Sequence, residues 1–478
     1  MKDILVFISD QHSPCYSEFA GGQAETPVLN QIYASGTGLG ECYTSCPLCV
    51  PARMSMLTGR LPSANGVMTN LDTIPDIMPT FLHPFVEAGY ETVLIGRMHF
   101  VGKDQRHGFT KRLAKDMTPV TWNRPVEKLK EERGVFNGTY DARGCVKVVG
   151  GGETPVVNYD EFVIETALDY LSQEHEKPQL IVVGTYAPHF PYVAPRQLYE
   201  KYRQRVSLPL MFHETPDYFN PILENRKNLV NEETVLGAQA AYLALIEYTD
   251  QKIGQVRDAF QEFAKKRGGE SLFCYLSDHG DQAGQRDIFG KCTFFEASAK
   301  IPFVLEGDRI PAGKMVNSPA SIMDLGPTLC AWAGVSQLLK QDGENLLPVI
   351  TGETKENADR IVVSEMMEKL ENQRRYGLML RKGTYKYMVY SGFEDRDILF
   401  DLEKDPKETV NAAESCPEAA KEFRSYAKQH FDFAAIEEEQ ENRAQAARWM
   451  AAWERETGVD DSERWSQNTA KGFPVIRA

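Results

Sequence analysis

The stretch Ile4-Leu5-Val6-Phe7-Ile8-Ser9-Asp10-Gln11-His12 joins five consecutive apolar residues to a cluster of polar ones. A short apolar run bounded by polar residues predicts a buried strand. Strands buried on both faces are typical of parallel sheets with helices on each side. Because open α/β sheets bind ligands beyond the carboxyl ends of their strands, the polar residues that end this run are candidates for a site.

Similar apolar runs recur along the chain and are separated by longer stretches with helical period. This alternation predicts an α/β fold with a mostly parallel central sheet flanked by helices. Helices are predicted from Pro27 to Gly36, near Tyr159–Gln173 and near Glu232–Lys266. The further apolar runs are Thr92–Ile95, Leu180–Val183, Leu272–Leu276, Pro302–Leu305 and Ile361–Val363.

The pattern changes near residue 360, where short β-like segments precede a charged helical stretch. We predict an α/β domain over residues 1–360 and a smaller α+β C-terminal lobe with a helical tail over residues 361–478. The β-like segments are Tyr376–Leu380, Tyr385–Tyr390 and Ile398–Leu402. Three tail tryptophans predict that the tail packs on the chain's own body or on a neighbour, namely Trp449, Trp453 and Trp465.

The 478 residues include 53 lysines and arginines against 68 aspartates and glutamates, which gives a net charge of −15. This balance excludes a diffuse positive field for binding nucleic acid, so an anionic substrate must meet a local cluster of cations. The first apolar run is too short for a signal peptide and no apolar stretch reaches membrane-spanning length, so we expect a cytoplasmic protein without a membrane partner. Nine scattered cysteines indicate reduced thiols rather than a disulfide framework.

Polar residues follow four of the apolar runs, and the topology of an open sheet brings such strand ends together. These residues are Asp10-Gln11-His12, Arg97-Met98-His99, His189 and Asp278-His279. Asp278-His279 alone is more typical of a turn carboxylate that caps a helix beside a surface histidine. Together with Asp10 and Gln11, however, the pair offers enough oxygen and imidazole ligands for one divalent cation. An oxygen-rich set favours calcium, with magnesium or manganese as alternatives, over zinc.

The segment from Cys46 to Arg60 reads CPLCVPARMSMLTGR, in which Pro51 and Gly59 bracket one short helix. Cys49 then lies at the helix N-terminus, where the dipole stabilises anionic oxygen or sulfur, and Arg53 follows one turn later. Cys46 and Cys49 form a C-x-x-C pair that could instead serve redox chemistry or bind a metal. A redox pair requires a thioredoxin-like context and a zinc site requires a second pair, so we favour the first interpretation.

The pattern Cys49-x-Pro51-x-Arg53 followed by Thr58-Gly59-Arg60 resembles the signature of type I sulfatases, which belong to the alkaline phosphatase superfamily. The resemblance extends from Ile4 to about Gly334. Within the family the chain is most similar to choline sulfatases and phosphonate monoester hydrolases. The segments that carry this likeness are Asp10-Gln11, Met98-His99-Phe100-Val101-Gly102 and Lys291-Cys292-Thr293-Phe294-Phe295-Glu296.

The resemblance implies that a maturase oxidises Cys49 to formylglycine, whose hydrated aldehyde is the nucleophile. The modified residue would complete a cation shell formed by Asp10, Gln11, Asp278 and His279. Arg53 would hold the formylglycine, and His99 would act as a base on its second hydroxyl. The remaining implied roles are sulfate and leaving-oxygen binding, by His189 and Lys291, and a substrate-side position at Asn70.

One departure from the family pattern concerns Arg97, which stands where the family usually has lysine. Arginine keeps the charge for substrate binding but is planar and does not deprotonate, so the contacts of the family lysine are altered. The resemblance leaves three functions open: a sulfatase acting on a small alcohol or sugar ester, a phosphonate monoester or phosphodiester hydrolase using the same site, and a non-catalytic binding protein with unmodified Cys49. We expect a homo-oligomer whose leaving-group pocket is built from Thr110–Gly152, Ser207–Asn231 and the C-terminal tail.

Overall fold

The computed structural model describes residues 1–116, 118, 122 and 144–458. The strands in this part of the chain are β1 (Lys2–Asp10), β2 (Thr37–Leu39), β3 (Cys42–Tyr43), β4 (Glu91–Gly96), β5 (Lys111–Leu113), β6 (Gly150–Gly151), β7 (Gln179–Pro188), β8 (Val193–Ala194), β9 (Glu270–Ser277), β10 (Phe303–Gly307), β11 (Lys314–Val316), β12 (Ala320–Ser321), β13 (Val362–Leu370), β14 (Gln373–Lys382), β15 (Tyr385–Tyr390) and β16 (Ile398–Asp401). The α-helices are α1 (Pro27–Ser35), α2 (Cys49–Thr58), α3 (Pro62–Asn65), α4 (Leu82–Glu87), α5 (Pro155–Ser172), α6 (Arg196–Arg203), α7 (Pro221–Glu224), α8 (Glu232–Arg267), α9 (Glu296–Ala299), α10 (Leu325–Ala333), α11 (Leu347–Thr351), α12 (Pro417–His430) and α13 (Phe433–Thr457).

The central sheet has eight strands in the order β11-β2-β10-β9-β1-β7-β4-β5. The four consecutive strands β9, β1, β7 and β4 are parallel, with Ile4 of β1 opposite Leu180 of β7 and Leu272 of β9. The prediction of a mostly parallel sheet is therefore confirmed. The run Pro302–Leu305, however, contributes to β10, which is antiparallel to β9 and β2.

Helices cover both faces of this sheet, so alternate residues of one strand enter different cores. On β1, Ile4, Val6 and Ile8 belong to the core shared with α2, α4 and α10, whereas Leu5 and Phe7 belong to the core shared with α1, α5 and α8. All five side chains are fully buried. Burial on both faces explains why the sequence shows a continuous apolar run and not an alternation.

A second sheet, antiparallel and ordered β13-β14-β15-β16, forms the C-terminal lobe. The run Ile361–Val363 leads into β13 of this sheet and is not part of the central one. Glu365 of β13 donates its backbone N–H to the carbonyl of Ser45 at 2.8 Å. Because Ser45 lies just ahead of α2, the C-terminal sheet braces the segment that carries the sulfatase-like signature.

Helix α13 extends this lobe along the main domain, where the Lys103 ammonium lies 4.4 Å from the ring centre of Trp453. Trp449 remains largely exposed, and Trp465 lies outside the described residues. So do residues 117, 119–121 and 123–143 of the predicted pocket segment Thr110–Gly152.

Among the helices that the structure describes, none combines the length and apolar content that crossing a membrane requires.

The buried central strands predict a large difference between two leucine-to-alanine changes. Leu276 on β9 is fully buried, whereas Leu339 lies in a loop and is fully exposed. Leu276→Ala should lower the free energy of unfolding by about 2–5 kcal/mol, and Leu339→Ala should change it by less than about 0.5 kcal/mol. Urea unfolding followed by tryptophan fluorescence measures both. Equal effects would contradict the described packing of β9.

Candidate active site

Four parallel strands of the central sheet end at one edge. The last residue of β1 is Asp10, β4 is followed by Arg97, and β7 and β9 are followed by His189 and Asp278. The paired strands β4 and β7 approach closely at this end, where the Arg97 N–H donates to the carbonyl of Gly184 at 2.8 Å. A Cβ on Gly184 would lie only 1.9 Å from the carbonyl oxygen of Arg97, so only glycine permits this approach.

Helix α2 begins at Cys49, as the sequence predicts, and ends at Gly59, whose φ of 67° is left-handed. Leu48, the residue before the helix, provides no side-chain cap. The amide oxygen of Asn70 instead accepts the N–H of Val50 at 3.0 Å. Asn70 therefore satisfies one of the free N–H groups at the helix start, next to the buried side chain of Cys49.

Asp10, Cys49, Asp278 and His279 bring their ligand atoms within 4.8 Å of one another, and all four are buried. This separation matches ligands placed on a sphere of about 2.4 Å radius, the usual distance for calcium. The Nδ1 of His279 lies 3.1 Å from the carbonyl oxygen of Gly280 and donates to it. Its Nε2, which lies 3.3 Å from the Cys49 Sγ, therefore presents a lone pair to the cluster. The donor set fits a divalent cation.

Gln11 supports the same fit. Its backbone has a φ of 71°, and its Nε2 donates to the Asp281 Oδ2 at 2.5 Å. This bond turns the amide oxygen away from Asp281, and among the residues that the structure describes that buried oxygen has no hydrogen-bond partner. An unsatisfied buried oxygen costs about 1–3 kcal/mol, and a bound cation would supply the missing partner. Sequence reasoning gave Asp281 no role, although it also accepts the N–H groups of Ala283 and Gly290.

Two buried arginines hold the carboxylates of this cluster. Arg53 contacts the Asp278 Oδ2 through Nε at 2.8 Å and the Asp10 Oδ2 through Nη2 at 3.2 Å, while Arg97 Nε contacts the same Asp10 oxygen at 2.6 Å. Burial by itself would raise the pKa of Asp10. The charges of Arg97, Lys291 and Arg53 outweigh it and hold that pKa well below its ordinary value, so Asp10 is ionised.

Lys291 joins Cys49 to His189. Its Nζ lies 2.9 Å from the Cys49 Sγ and 2.7 Å from the His189 Nε2. The Nδ1 of His189 donates to the carbonyl of Phe190 at 2.6 Å, so its Nε2 accepts from the lysine. Burial and the Lys291 charge hold the pKa of His189 well below its ordinary value, so this ring is neutral. Burial and Asp10 also raise the pKa of Cys49, which makes its unmodified thiol a weak nucleophile.

Arg97 and His99 lie on the other side of the Asp10 carboxylate. Both depend on a residue that sequence reasoning missed, the buried Asp116, whose Oδ2 accepts the N–H groups of Met98 at 3.2 Å and His99 at 2.7 Å. Asp116 follows β5, an edge strand of three residues with the sequence Lys-Arg-Leu. Because such a strand leaves no apolar run, the sequence pattern gives no signal for it.

His12 belongs to the polar cluster in the sequence but has a structural role. Its ring contacts the Tyr275 hydroxyl through Nδ1 and the Ser17 hydroxyl through Nε2, the latter at 2.6 Å. Burial lowers the pKa of His12 to about 3, so the ring is neutral. His12 therefore supports the turn after β1 and is separate from the cation ligands.

Comparisons with known proteins place the chain as follows. The family profile described as "Sulfatase" matches residues 2–335, and one described as "N-sulphoglucosamine sulphohydrolase, C-terminal" matches residues 284–430. A choline-sulfatase of Rhizobium meliloti (strain 1021) is 31% identical over 98% of this chain and 96% of its own length. Arylsulfatase K of Xenopus laevis is 25% identical over 90% of this chain and 83% of its own. The phosphonate monoester hydrolase of Agrobacterium radiobacter shares the fold, with a TM-score of 0.71 at 19% identity over 93% of this chain and 95% of that one.

The cluster predicts that Asp278→Ala removes a divalent cation from the protein. Asp324→Ala is the matched control, because Asp324 is also fully buried and also pairs with an arginine, Arg360, at 2.7 Å. Both variants lose a buried carboxylate, but only Asp278→Ala should weaken calcium binding, by about a hundredfold or more. Isothermal titration with Ca²⁺ after chelator treatment measures the affinity. Full calcium affinity in Asp278→Ala would place the cation elsewhere.

Proposed function

The chain belongs to the sulfatase family, and we propose that it hydrolyses a sulfate monoester to an alcohol and inorganic sulfate. The observation that carries the proposal is the position of Cys49, between the candidate cation ligands on one side and the Lys291 ammonium on the other. A nucleophile generated at residue 49 would have an electrophilic cation and a proton donor within contact distance. The cation would activate the nucleophile, and the proton donor would assist the departure of the alcohol from sulfur.

Recognition of the anion is proposed to rest on cations that converge in a dry cleft. Arg53, Arg97 and Lys291 are all buried within the group that surrounds Asp10 and Asp278. The three positive side chains balance the three buried carboxylates of Asp10, Asp278 and Asp116, so a bound divalent cation would give the site a local excess of positive charge. An acidic protein can therefore attract a sulfate ester at this one place, where low dielectric strengthens each interaction.

Two further groups are proposed to complete the chemistry. A calcium ion held by Asp10, Gln11, Asp278 and His279 would act as a Lewis acid toward oxygen on residue 49 and on the ester. Formylglycine, made from Cys49 by a maturase, would supply a hydrated aldehyde in place of a thiol whose pKa is raised by burial. The buried position of Cys49 at the helix start and the raised pKa of its thiol support this modification.

The leaving alcohol is proposed to receive its proton from Lys291. In the unmodified protein burial lowers the pKa of this ammonium, but Cys49, Asp10 and Asp278 raise it above its ordinary value, so Lys291 is protonated there. The neutral His189 ring accepts one Lys291 N–H and keeps the ammonium directed at the reacting centre. General acid assistance of this kind contributes about 10²–10⁴ in rate.

Phosphonate monoester or phosphodiester hydrolysis is the alternative, and the similarity in fold to the Agrobacterium radiobacter hydrolase favours it. We prefer a sulfate monoester because it brings one organic arm into the site, whereas a diester must fit two. The relative named choline-sulfatase supports a small alkyl sulfate as the first ester to examine.

The first prediction here is that Cys49 is converted to formylglycine in a host that contains a competent maturase. Cys46 is an internal control, because it lies on the same tryptic peptide as Cys49 but has neither Pro two residues later nor Arg four residues later. Peptide mass spectrometry should find an aldehyde at residue 49 and a free thiol at residue 46. A fully active preparation that carries only the Cys49 thiol would contradict the proposed nucleophile.

The second prediction is a preference for sulfate esters on matured, calcium-loaded enzyme. The kcat/KM for an aryl sulfate should exceed that for the matched aryl phosphonate and aryl phosphodiester by about tenfold or more, equivalent to 1.4 kcal/mol in transition-state binding. Choline sulfate and sugar sulfates measured beside them identify the alcohol. A tenfold preference for either phosphorus ester would favour the alternative function.

A further inference from the structure

We infer that Asp160 is a positioning residue that sets the proton-donating pair of His189 and Lys291 through the backbone at the end of β7. Asp160 lies on α5, which otherwise packs against the central sheet. The inference rests on the proposed function for the reaction that the pair assists. It deepens that function by giving a helix outside the candidate site a part in the protonation of the leaving alcohol.

Strand β7 leaves its regular pairing before it ends. Its pairing with β4 stops at Gly184, and its pairing with β1 changes register beyond the same residue. Backbone N–H groups that leave a ladder inside a protein need other acceptors. Asp160 supplies them, because its Oδ1 accepts the N–H of Tyr186 at 2.6 Å and its Oδ2 accepts the N–H of Ala187 at 2.7 Å.

The two bonds require a side chain with two acceptor oxygens. Asp160 is fully buried, and each of its oxygens holds one of two consecutive N–H groups. Burial raises the pKa of Asp160 to about 8, although the two N–H donors lower it. A carboxyl group can accept at both oxygens whether or not it is ionised, whereas an amide carries N–H donors on one branch. An asparagine here would direct an N–H group at a backbone N–H group.

Tyr186 connects these bonds to the candidate site. Its carbonyl accepts the N–H of His189 at 3.1 Å, and the centres of the two rings lie 4.9 Å apart at an interplanar angle of 74°. The Arg97 guanidinium lies 4.2 Å from the same tyrosine ring centre. Because Tyr186 contacts His189 through both its backbone and its ring, a displacement of the Tyr186 backbone would move the histidine.

His189 transmits this placement to Lys291. Its Nδ1 donates to the carbonyl of Phe190 at 2.6 Å, and its Nε2 accepts from the Lys291 Nζ at 2.7 Å. Both ring nitrogens are engaged, so the ring cannot turn without breaking one of these bonds. Misplacement of a reacting group by about 1 Å can cost on the order of 10²-fold in rate. A shift at the end of β7 should therefore weaken the protonation of the leaving alcohol.

The expected signature of a misplaced proton donor is a loss of rate that depends on the leaving group. An alkyl alcohol is a poor leaving group and needs a proton as it departs, whereas nitrophenolate leaves readily without one. A purely structural defect lowers kcat/KM for both esters by the same factor. The ratio of the two values therefore separates a positioning role from a loss of folded enzyme.

Asp160→Asn in full-length, matured, calcium-loaded enzyme tests the inference. We expect kcat/KM to fall by about tenfold or more for an alkyl sulfate and by less than about threefold for nitrophenyl sulfate. Equal losses on the two esters, or no loss on the alkyl ester, would overturn the inference.

Asp250→Asn is the matched control. Asp250 on α8 is also buried, and it also accepts two consecutive backbone N–H groups, those of Val28 at 3.0 Å and Leu29 at 2.8 Å. These bonds lie at the start of α1, which contributes no residue to the candidate site. Asp250→Asn should leave the ratio of the two kcat/KM values unchanged, and the same selective loss in this variant would overturn the inference.

Asp160→Ala provides a second variant if the asparagine variant does not fold. Alanine removes both acceptors without adding an N–H group, and water can then reach the two backbone donors. We expect the same selective loss on the alkyl sulfate. An Asp160→Ala enzyme with the natural ratio of kcat/KM values would overturn the inference.

NMR of the enzyme with ¹⁵N-labelled histidine gives a readout that does not depend on turnover. The ring signals that disappear in His189→Gln identify His189. They should shift in Asp160→Ala and stay in place in Asp250→Asn, and unmoved signals in Asp160→Ala would overturn the inference. Shifted signals in a protein that hydrolyses no sulfate ester would instead contradict the proposed function and leave the placement of His189 by Asp160 intact.

Discussion

The ionised carboxylate of Asp10, buried at the end of the first strand, is the interaction on which the site depends. Removing a carboxylate from water costs several kcal/mol unless fixed partners replace the solvent. Here two guanidiniums, those of Arg53 and Arg97, meet the same oxygen, Oδ2. The other oxygen, Oδ1, therefore faces Cys49 and His279, each at 3.7 Å. Pairing one side of the carboxylate thus leaves the other side available to a cation.

The scaffold makes this arrangement rigid before any ligand binds. Strands β1, β4, β7 and β9 are parallel and buried on both faces, so their ends cannot move independently. Helix α2, which carries Cys49, is held in place by contacts with the C-terminal lobe. Glu365 of β13 contacts the chain ahead of this helix at Ser45 and the chain beyond it at Ser63. Preorganised donors and acceptors of this kind need little reorganisation during a reaction.

Much of this arrangement is predictable from the sequence, for physical reasons. Burial on both faces produces apolar runs, and the polar residues after those runs mark one edge of the sheet, which is why Asp10, His189 and Asp278 are found. The family that the segment from Cys46 to Arg60 indicates is confirmed by the profile match over residues 2–335. The direction of β10 is not predictable, because an antiparallel neighbour leaves the same apolar run. Asp116 is not predictable either, because its strand is short and lies at an edge.

The structural role of Arg97 does not follow from its residue type alone. The sequence predicts a substrate-binding cation at position 97, but only the geometry shows that the nitrogens of Arg97 contact Asp10, Asp116 and His99. A planar fork can act as a structural link in a way that a single ammonium cannot. Since Arg53 is likewise engaged with Asp10, Asp278 and the Arg97 carbonyl, Lys291 is the cation whose contacts run to Cys49 and His189. The positive charge of the site is therefore divided between two arginines that shape the cluster and one lysine that can exchange a proton, and this division follows from the chemistry of the two side chains.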